Sequence, residues 1–253
     1  MNKATGLFGR CLARFLQQPS RTYLPFAVSD TETLRSCMQP GDVLLVEGDL
    51  RISMAIKYLT QSTWSHAALY VGDALGQEND AGEPLSLIEA DLTLGVIAVA
   101  LSKYAGLNTR ICRPVNLRVD DQQTLIHYML DSLGKEYDLK NVIDLMRYLL
   151  PTPPVPLRWR RRMLSFGSGD PTRAICSTLI AQAFQKVHYP ILPEIERIPV
   201  LAACGCMYSE KEILHIRHHS LFTPRDFDLS AYFRVVKPSL EKGFDYRKLN
   251  WAS

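Results

Sequence analysis

In this 253-residue chain, a cysteine near the start of a predicted helix has the surroundings of a catalytic nucleophile. Cys176 is the third residue of the segment 174–187, in which apolar residues repeat with the spacing of one helical face. A thiol in the first helical turn lies at the positive end of the helix dipole, which favours the nucleophilic thiolate. The unpaired N–H groups of that turn can also bind an oxyanion once the sulfur attacks a carbonyl.

A histidine and a glutamate lie on two consecutive predicted strands, SHAALYV and LSLIEA. If these strands form a hairpin with Ala67 opposite Ile88, His66 lies opposite Glu89 on the same face. A carboxylate beside an imidazole fixes its tautomer and stabilises its charged form. The three residues therefore predict a nucleophile–base–acid triad. A structural cysteine and an ordinary ion pair stay open as simpler explanations.

The elements that must position these residues change type along the chain. Short apolar segments bounded by turn residues predict strands in the first half, and helical periodicity dominates from residue 120 onward. The predicted strands are 43–46, 65–71, 85–90, 95–101 and 109–115. The predicted helices are 51–59, 120–133, 139–150 and 174–187. Consecutive strands favour an antiparallel meander, so we expect an α+β fold with the cysteine helix packed against the sheet.

Composition excludes several classes of function. A net charge of +3 is too small for a nucleic-acid-binding face, so we expect no nucleic-acid partner. The six cysteines show no disulfide framework, and no cofactor or metal is expected. A metal site remains an alternative, although its Cys-Gly-Cys spacing is unusual for zinc. Its ligands would come from Cys204, Cys206, His215, His218 and His219.

The predicted domain organisation has a catalytic part between two terminal segments. Residues 1–38 form an amphipathic helical segment, 39–240 the catalytic domain with a proline- and arginine-rich insertion at 151–170, and 241–253 a tail. The N-terminal helix could make peripheral membrane contact. We find no cleavable signal and no membrane span, which predicts a cytoplasmic location. The oligomeric state is open.

Five motifs together resemble the permuted NlpC-type papain-like amidases of the YaeF/YiiX kind. They are GDVLL, SHAALYVG, LIEA, GKEYD and CSTLI. That family is circularly permuted, so its histidine strand precedes its cysteine helix, as in this chain. The resemblance implies catalytic Cys176, His66 and Glu89. It also implies a small antiparallel, barrel-like sheet packed against the cysteine helix.

The expected function is a cysteine hydrolase, an amidase, peptidase or esterase, that acts through a thioester acyl-enzyme. Cell-wall peptides are one expected substrate. A lipid acyltransferase or deacylase related to lecithin:retinol acyltransferase-like proteins is an alternative, and a non-catalytic binding protein with a relict site is another. The partner would be a small-molecule, peptide or lipid-acyl substrate. Tyr137, Ser177 and Trp64 are the candidate substrate-binding residues.

Overall fold

The computed structural model describes residues 29–91, 94–135, 175–201 and 208–241, with a few single residues in the terminal segments. The predicted helix 139–150, the insertion 151–170 and most of the N-terminal segment lie outside this part of the chain. The predicted domain boundaries therefore stay predictions.

The described part of the chain contains eight strands, six α-helices and two short 3-10 helices. The strands are β1 Val43–Val46, β2 His66–Tyr70, β3 Leu85–Asp91, β4 Gly95–Ala100, β5 Thr109–Pro114, β6 Glu194–Leu201, β7 Tyr208–His215 and β8 Phe233–Val236. The α-helices are α1 Thr31–Cys37, α2 Arg51–Thr60, α3 Val119–Leu130, α4 Ile175–Lys186, α5 Pro224–Leu229 and α6 Pro238–Glu241. Two short 3-10 helices cover Leu101–Tyr104 and His219–Leu221. The first five strands and three of the helices lie close to their predicted positions.

One antiparallel sheet organises the described part of the chain. Its six strands follow the order β4-β3-β2-β1-β5-β8, and every neighbouring pair is antiparallel. The expected α+β class is therefore confirmed, whereas the barrel-like sheet is wrong. Closure requires the two edge strands to bond to each other, but β4 and β8 lie at opposite ends of the sheet.

Both faces of the central strands are covered. Ala67, Leu69 and Ile88 contribute to the same apolar cluster as Phe184 of α4. Ala68 and its neighbours on the opposite face belong to a second cluster that includes residues of α1 and the 3-10 helix Leu101–Tyr104. Strands buried on two faces need apolar residues at successive positions. The continuous apolar run of β1, VLLV, follows from this double burial.

The β6–β7 hairpin and β8 were not expected from the sequence. β6 contains Pro199, a residue that normally argues against a strand because it lacks an N–H donor. The hairpin is paired along eight positions, from Glu194 with His215 to Leu201 with Tyr208. Ile195 and Leu214, one of its apolar pairs, are largely exposed. Within the residues described, no helix has the length and apolar character needed to cross a bilayer.

Candidate active site

Cys176 is the second residue of α4 and is almost completely buried, with 5% of its surface exposed. The apolar face of α4 packs into the core through Leu179, Ile180 and Phe184, which fixes the helix against β2 and β3. A residue in the first helical turn has a backbone N–H without an acceptor inside the helix. This N–H and the helix dipole can therefore stabilise a thiolate at Cys176 or an anion formed beside it.

A close packing of small side chains fixes the start of β2. Ser65 donates its backbone N–H to the carbonyl of Val46 at 3.1 Å, and its hydroxyl accepts from the N–H of Gly48 at 2.9 Å. A Cβ on Gly48 would approach the hydroxyl of Ser53 to 2.3 Å, so a larger residue there would displace that side chain. The next residue is His66, whose backbone is set by these contacts.

The imidazole of His66 joins the thiol to a buried carboxylate. Its Nε2 lies 3.0 Å from Oε2 of Glu89, and Cys176 is a second neighbour of the ring, one that raises its pKa. Because Nε2 is taken by Glu89, Nδ1 is the ring nitrogen left for the thiol. Glu89 is 1% exposed, whereas 23% of the His66 side chain is accessible. The structure thus brings the three residues of the predicted triad into one row, with the imidazole between the thiol and the carboxylate.

The strand register beneath this row differs from the expected one. β2 and β3 pair Leu69 with Ile88, so the predicted pairing of Ala67 with Ile88 is wrong by two residues. A shift by an even number keeps every side chain on its face. His66 and Glu89 therefore still share a face, but diagonally. The long connection between the strands explains the error, because only short hairpin loops dictate register.

Interactions between opposite charges set the pKa values of His66 and Glu89. Burial disfavours the imidazolium form of His66, but the charges of Cys176 and Glu89 outweigh it and raise its pKa to about 10. Burial likewise opposes ionisation of Glu89, yet His66 and Lys103 lower the pKa of its carboxyl below the usual value. A protonated imidazole beside the ionised carboxylate of Glu89 is the state these contacts favour at neutral pH.

Lys103 is a residue of the site that sequence reasoning missed. Its Nζ forms an ion pair with Oε1 of Glu89, the carboxylate oxygen that His66 leaves free. The neighbouring ring of Tyr104 lies with its centroid 6.0 Å from that of His66. No motif or periodicity marks Lys103, because its contact with Glu89 depends on the path of the chain after β4.

Trp64 lines a cavity two residues before His66. The cavity has a volume of about 320 Å³, and Asn108, Thr109 and Arg225 are among its other lining residues. The buried indole donates from Nε1 to Asp228 at 3.0 Å. Its expected contact with substrate stays a prediction, but the ring does border a space large enough for part of a ligand.

An arginine and an aspartate hold that indole in place. The guanidinium carbon of Arg110 lies 4.9 Å from the centroid of the Trp64 ring, a cation–π arrangement. The same guanidinium donates to both carboxylate oxygens of Asp228, at 2.6 and 2.7 Å. A capping box of Thr223 and Asp226 starts α5, which carries Asp228 to this point. These partners are distant in sequence, and no local pattern predicts them.

Ser177 and Tyr137 are the two other expected substrate-binding residues. Ser177 is fully buried, and its hydroxyl donates to the carbonyl of Phe222 at 2.7 Å. This bond joins α4 to the segment before α5. Tyr137 lies outside the described residues. Substrate contact stays a prediction for both.

The histidines of the alternative metal site have other neighbours. His215 lies 2.7 Å from Glu196 across the β6–β7 hairpin, and the rings of His218 and His219 stack with centroids 4.0 Å apart. Cys204 and Cys206 fall in a stretch that the structure does not describe. Among the described residues there is no group of three or more metal-ligating side chains.

A comparison with protein families finds a match over part of the chain. Residues 37–148 match the family described as "Permuted papain-like amidase enzyme, YaeF/YiiX, C92 family". Over this range, which is less than half of the chain, the sequence is similar to that of the permuted papain-like amidases. The match confirms the resemblance and, at the level of the family, supports a cysteine hydrolase or amidase.

The match to the permuted papain-like family covers two of the three residues of the proposed triad. His66 and Glu89 lie inside residues 37–148, while Cys176 lies beyond them. A comparison with curated proteins gave no significant match. Among solved structures, the chain is similar to the metalloprotein yiiX from Escherichia coli O157:H7. That similarity has 18% identity and a TM-score of 0.45, over 79% of this chain and 97% of the other.

Proposed function

We propose that the protein is a cysteine hydrolase that cleaves amides through a thioester on Cys176. In this proposal His66 is the general base and acid, and Glu89 orients the imidazole. The observation that carries the proposal is the row of thiol, imidazole and buried carboxylate, in which the imidazole is hydrogen-bonded to Glu89 and neighbours Cys176. The family description, an amidase, supports the same chemistry.

The first half-reaction starts from a thiolate and an imidazolium. Because the pKa of His66 is raised to about 10, the ring carries its proton at neutral pH. The sulfur of Cys176 attacks the substrate carbonyl, and the C=O electron pair moves onto oxygen. The backbone N–H of Cys176 at the start of α4 binds this oxyanion. His66 then gives its proton to the leaving nitrogen, the C–N bond breaks, and the thioester and free amine result.

Water completes the cycle in the second half-reaction. His66, now neutral, takes a proton from water as the oxygen attacks the thioester carbonyl. Collapse of the second tetrahedral intermediate breaks the C–S bond and regenerates the thiolate beside the imidazolium. The net reaction consumes one amide bond and one water and yields a carboxylic acid and an amine. Throughout, Glu89 keeps Nε2 engaged so that Nδ1 faces the sulfur.

Peptides are the substrates that we propose, with cell-wall peptides as the first class to test. The cavity beside Trp64 supports a substrate that carries polar groups, since Arg225 and Asn108 line it together with the indole. Each backbone amide of a peptide offers both a donor and an acceptor to such a lining. We propose that Trp64 contacts the substrate there.

The test is direct detection of the acyl-enzyme. The protein is incubated with muropeptides, with peptide p-nitroanilides and with phospholipid vesicles, then quenched in acid and digested with trypsin. Cleavage after Arg173 and Lys186 releases a peptide that contains Cys176 alone among the cysteines. We expect a peptidyl adduct on this fragment in the wild type and none in Cys176→Ala. Cys37→Ala is the matched control and should keep both adduct and turnover.

The other outcomes decide between the alternatives. A fatty-acyl adduct on Cys176 would replace peptide hydrolysis with lipid acyl transfer or deacylation. If no substrate forms an adduct and iodoacetamide alkylates Cys176 no faster than it alkylates Cys37, the protein is a binding protein with a relict site.

A further inference from the structure

Glu89 has two cationic partners, one on each carboxylate oxygen. Oε2 lies 3.0 Å from Nε2 of His66, and Oε1 forms an ion pair with Nζ of Lys103. Resting on the proposed function, we propose that Lys103 is a positioning residue of the site, which keeps Glu89 ionised and oriented toward His66. The partner of Lys103 in the site is the carboxylate, so Lys103 acts on the imidazole through Glu89.

The burial of Glu89 explains why a second cation matters. A carboxylate that is 1% exposed loses most of its hydration, and burial by itself favours the neutral acid. A protonated Glu89 would no longer stabilise the imidazolium. With only His66 as a partner, the carboxylate could also rotate about its last torsion. The ion pair with Lys103 opposes both changes, because it stabilises the anion and fixes the second oxygen.

The backbone that carries Lys103 is firmly attached to the sheet. In the 3-10 helix Leu101–Tyr104, the first and last side chains are buried at 0% and 4% exposure. The N–H of Ser102 donates to Oε1 of Glu83 at 3.1 Å, which ties the helix to the start of β3. Lys103 therefore starts from a fixed Cα, and its partly exposed side chain reaches back to the buried carboxylate.

Tyr104 adds a second contact from the same turn. Its ring packs at a tilt of 45° against His66, and the Nζ of Lys103 lies 5.8 Å from the centroid of the Tyr104 ring. The turn thus contacts the imidazole through an aromatic face and the carboxylate through an ammonium group. Both ends of the His66–Glu89 bond are supported by two consecutive residues.

The charged groups around Glu89 come from three elements. His66 faces it from β2 and Lys103 from the 3-10 helix, while Cys176 on α4 acts on it through His66. Removal of Lys103 leaves the imidazolium as the nearest cation. We therefore expect Glu89 to take up a proton at higher pH than in the wild type, which moves the acidic limb of the rate profile upward.

The experiment compares Lys103→Met, Lys103→Arg and Lys57→Met. Lys57 is the matched control, because its Nζ also pairs with a largely buried glutamate, Glu47, at 3.0 Å. Profiles of kcat and KM against pH are measured on the substrate that acylates Cys176, with iodoacetamide alkylation of Cys176 in parallel. Circular dichroism and thermal unfolding report whether each variant is folded.

We expect Lys103→Met to lower kcat about tenfold while KM changes less than about twofold. Its acidic limb should move up by about one pH unit. Lys103→Arg should recover most of the rate, and Lys57→Met should retain the wild-type profile. The role of Lys103 would be overturned if the wild type forms the acyl-enzyme but the folded Lys103→Met protein shows no shift in the acidic limb of its pH–rate profile. Absence of both acylation and fast alkylation in the wild type would instead overturn the proposed function, and this inference with it.

Discussion

His66 and Glu89 meet at 3.0 Å although the pairing of their strands sets them diagonally to one another. Leu69 lies opposite Ile88, so the position directly across from Glu89 in the same register belongs to Ala68. The small alanine leaves room for the glutamate side chain to reach along the strand. The methylene groups of glutamate provide this reach, which the shorter aspartate lacks.

Glu89→Gln tests the charge of the orienting residue. Glutamine keeps the volume and an acceptor oxygen but removes the negative charge that raises the pKa of His66. We expect kcat/KM to fall about 10- to 100-fold and the alkaline limb of its pH profile to move to lower pH. Steady-state kinetics across pH measure both effects.

Glu47→Gln is the control for this substitution. Glu47 is also a largely buried glutamate, bonded to Lys57 at 3.0 Å and to Asn108 at 2.7 Å. Its replacement should leave the alkaline limb in place. Equal shifts in the two variants would contradict an orienting role for Glu89.

The stability of the protein should depend on pH through His66. Its pKa is raised from 6.5 to about 10, so the stabilisation from its partners is fully present below pH 6.5. That stabilisation is lost as the pH rises through about 10. The pKa of Glu89 is lowered from 4.5, so its contribution is present above pH 4.5 and lost as the pH falls through the folded value.

Urea unfolding of the wild type and of His66→Gln at a series of pH values measures this dependence. The difference in free energy of unfolding should be constant between pH 4.5 and 6.5 and should decline toward pH 10. His127→Gln, at an exposed position of α3, is the control for the loss of an imidazole. A difference that stays constant up to pH 10 would mean that the imidazole is not stabilised by its two partners.

Trp64→Phe separates a structural role of the indole from contact with substrate. Phenylalanine loses the hydrogen bond to Asp228, so we expect a loss of about 1 kcal/mol in the free energy of unfolding. Because the ring borders the cavity, KM should rise several-fold while kcat changes little. Urea titration and steady-state kinetics provide the two measurements.

Tyr128→Phe is a matched control for this change. It also removes one side-chain hydrogen bond, from the Tyr128 hydroxyl to Gln182 at 3.2 Å. We expect a similar loss of stability with an unchanged KM. If KM is unchanged in Trp64→Phe as well, the indole does not contact the substrate.

Local patterns were sufficient for the elements that carry the proposed triad. Helical periodicity placed Cys176 at the start of a helix, and the structure begins that helix at Ile175. Strand alternation placed His66 and Glu89 on one face, and this conclusion survived the error in register because the error was an even number of residues. Such features depend on neighbouring residues, so a single sequence contains them.

Other features were decided by contacts between residues far apart in the chain. The ion pair of Lys103 with Glu89 depends on where the turn after β4 lies against β3. The bond of Arg110 to Asp228 joins residues 118 positions apart, across β5 and α5. No local periodicity records such pairings, because many partners are compatible with the same pattern.

The sequence by itself determined which residues form the strands and helices of the site, and on which faces their side chains lie, because backbone geometry sets these periods of two and 3.6 residues. Only the tertiary structure decided the register of β2 against β3, the order of the strands in the sheet and the second cation on Glu89. These depend on how complete elements pack, since burial and charge pairing are satisfied by the assembled chain and not by any one segment.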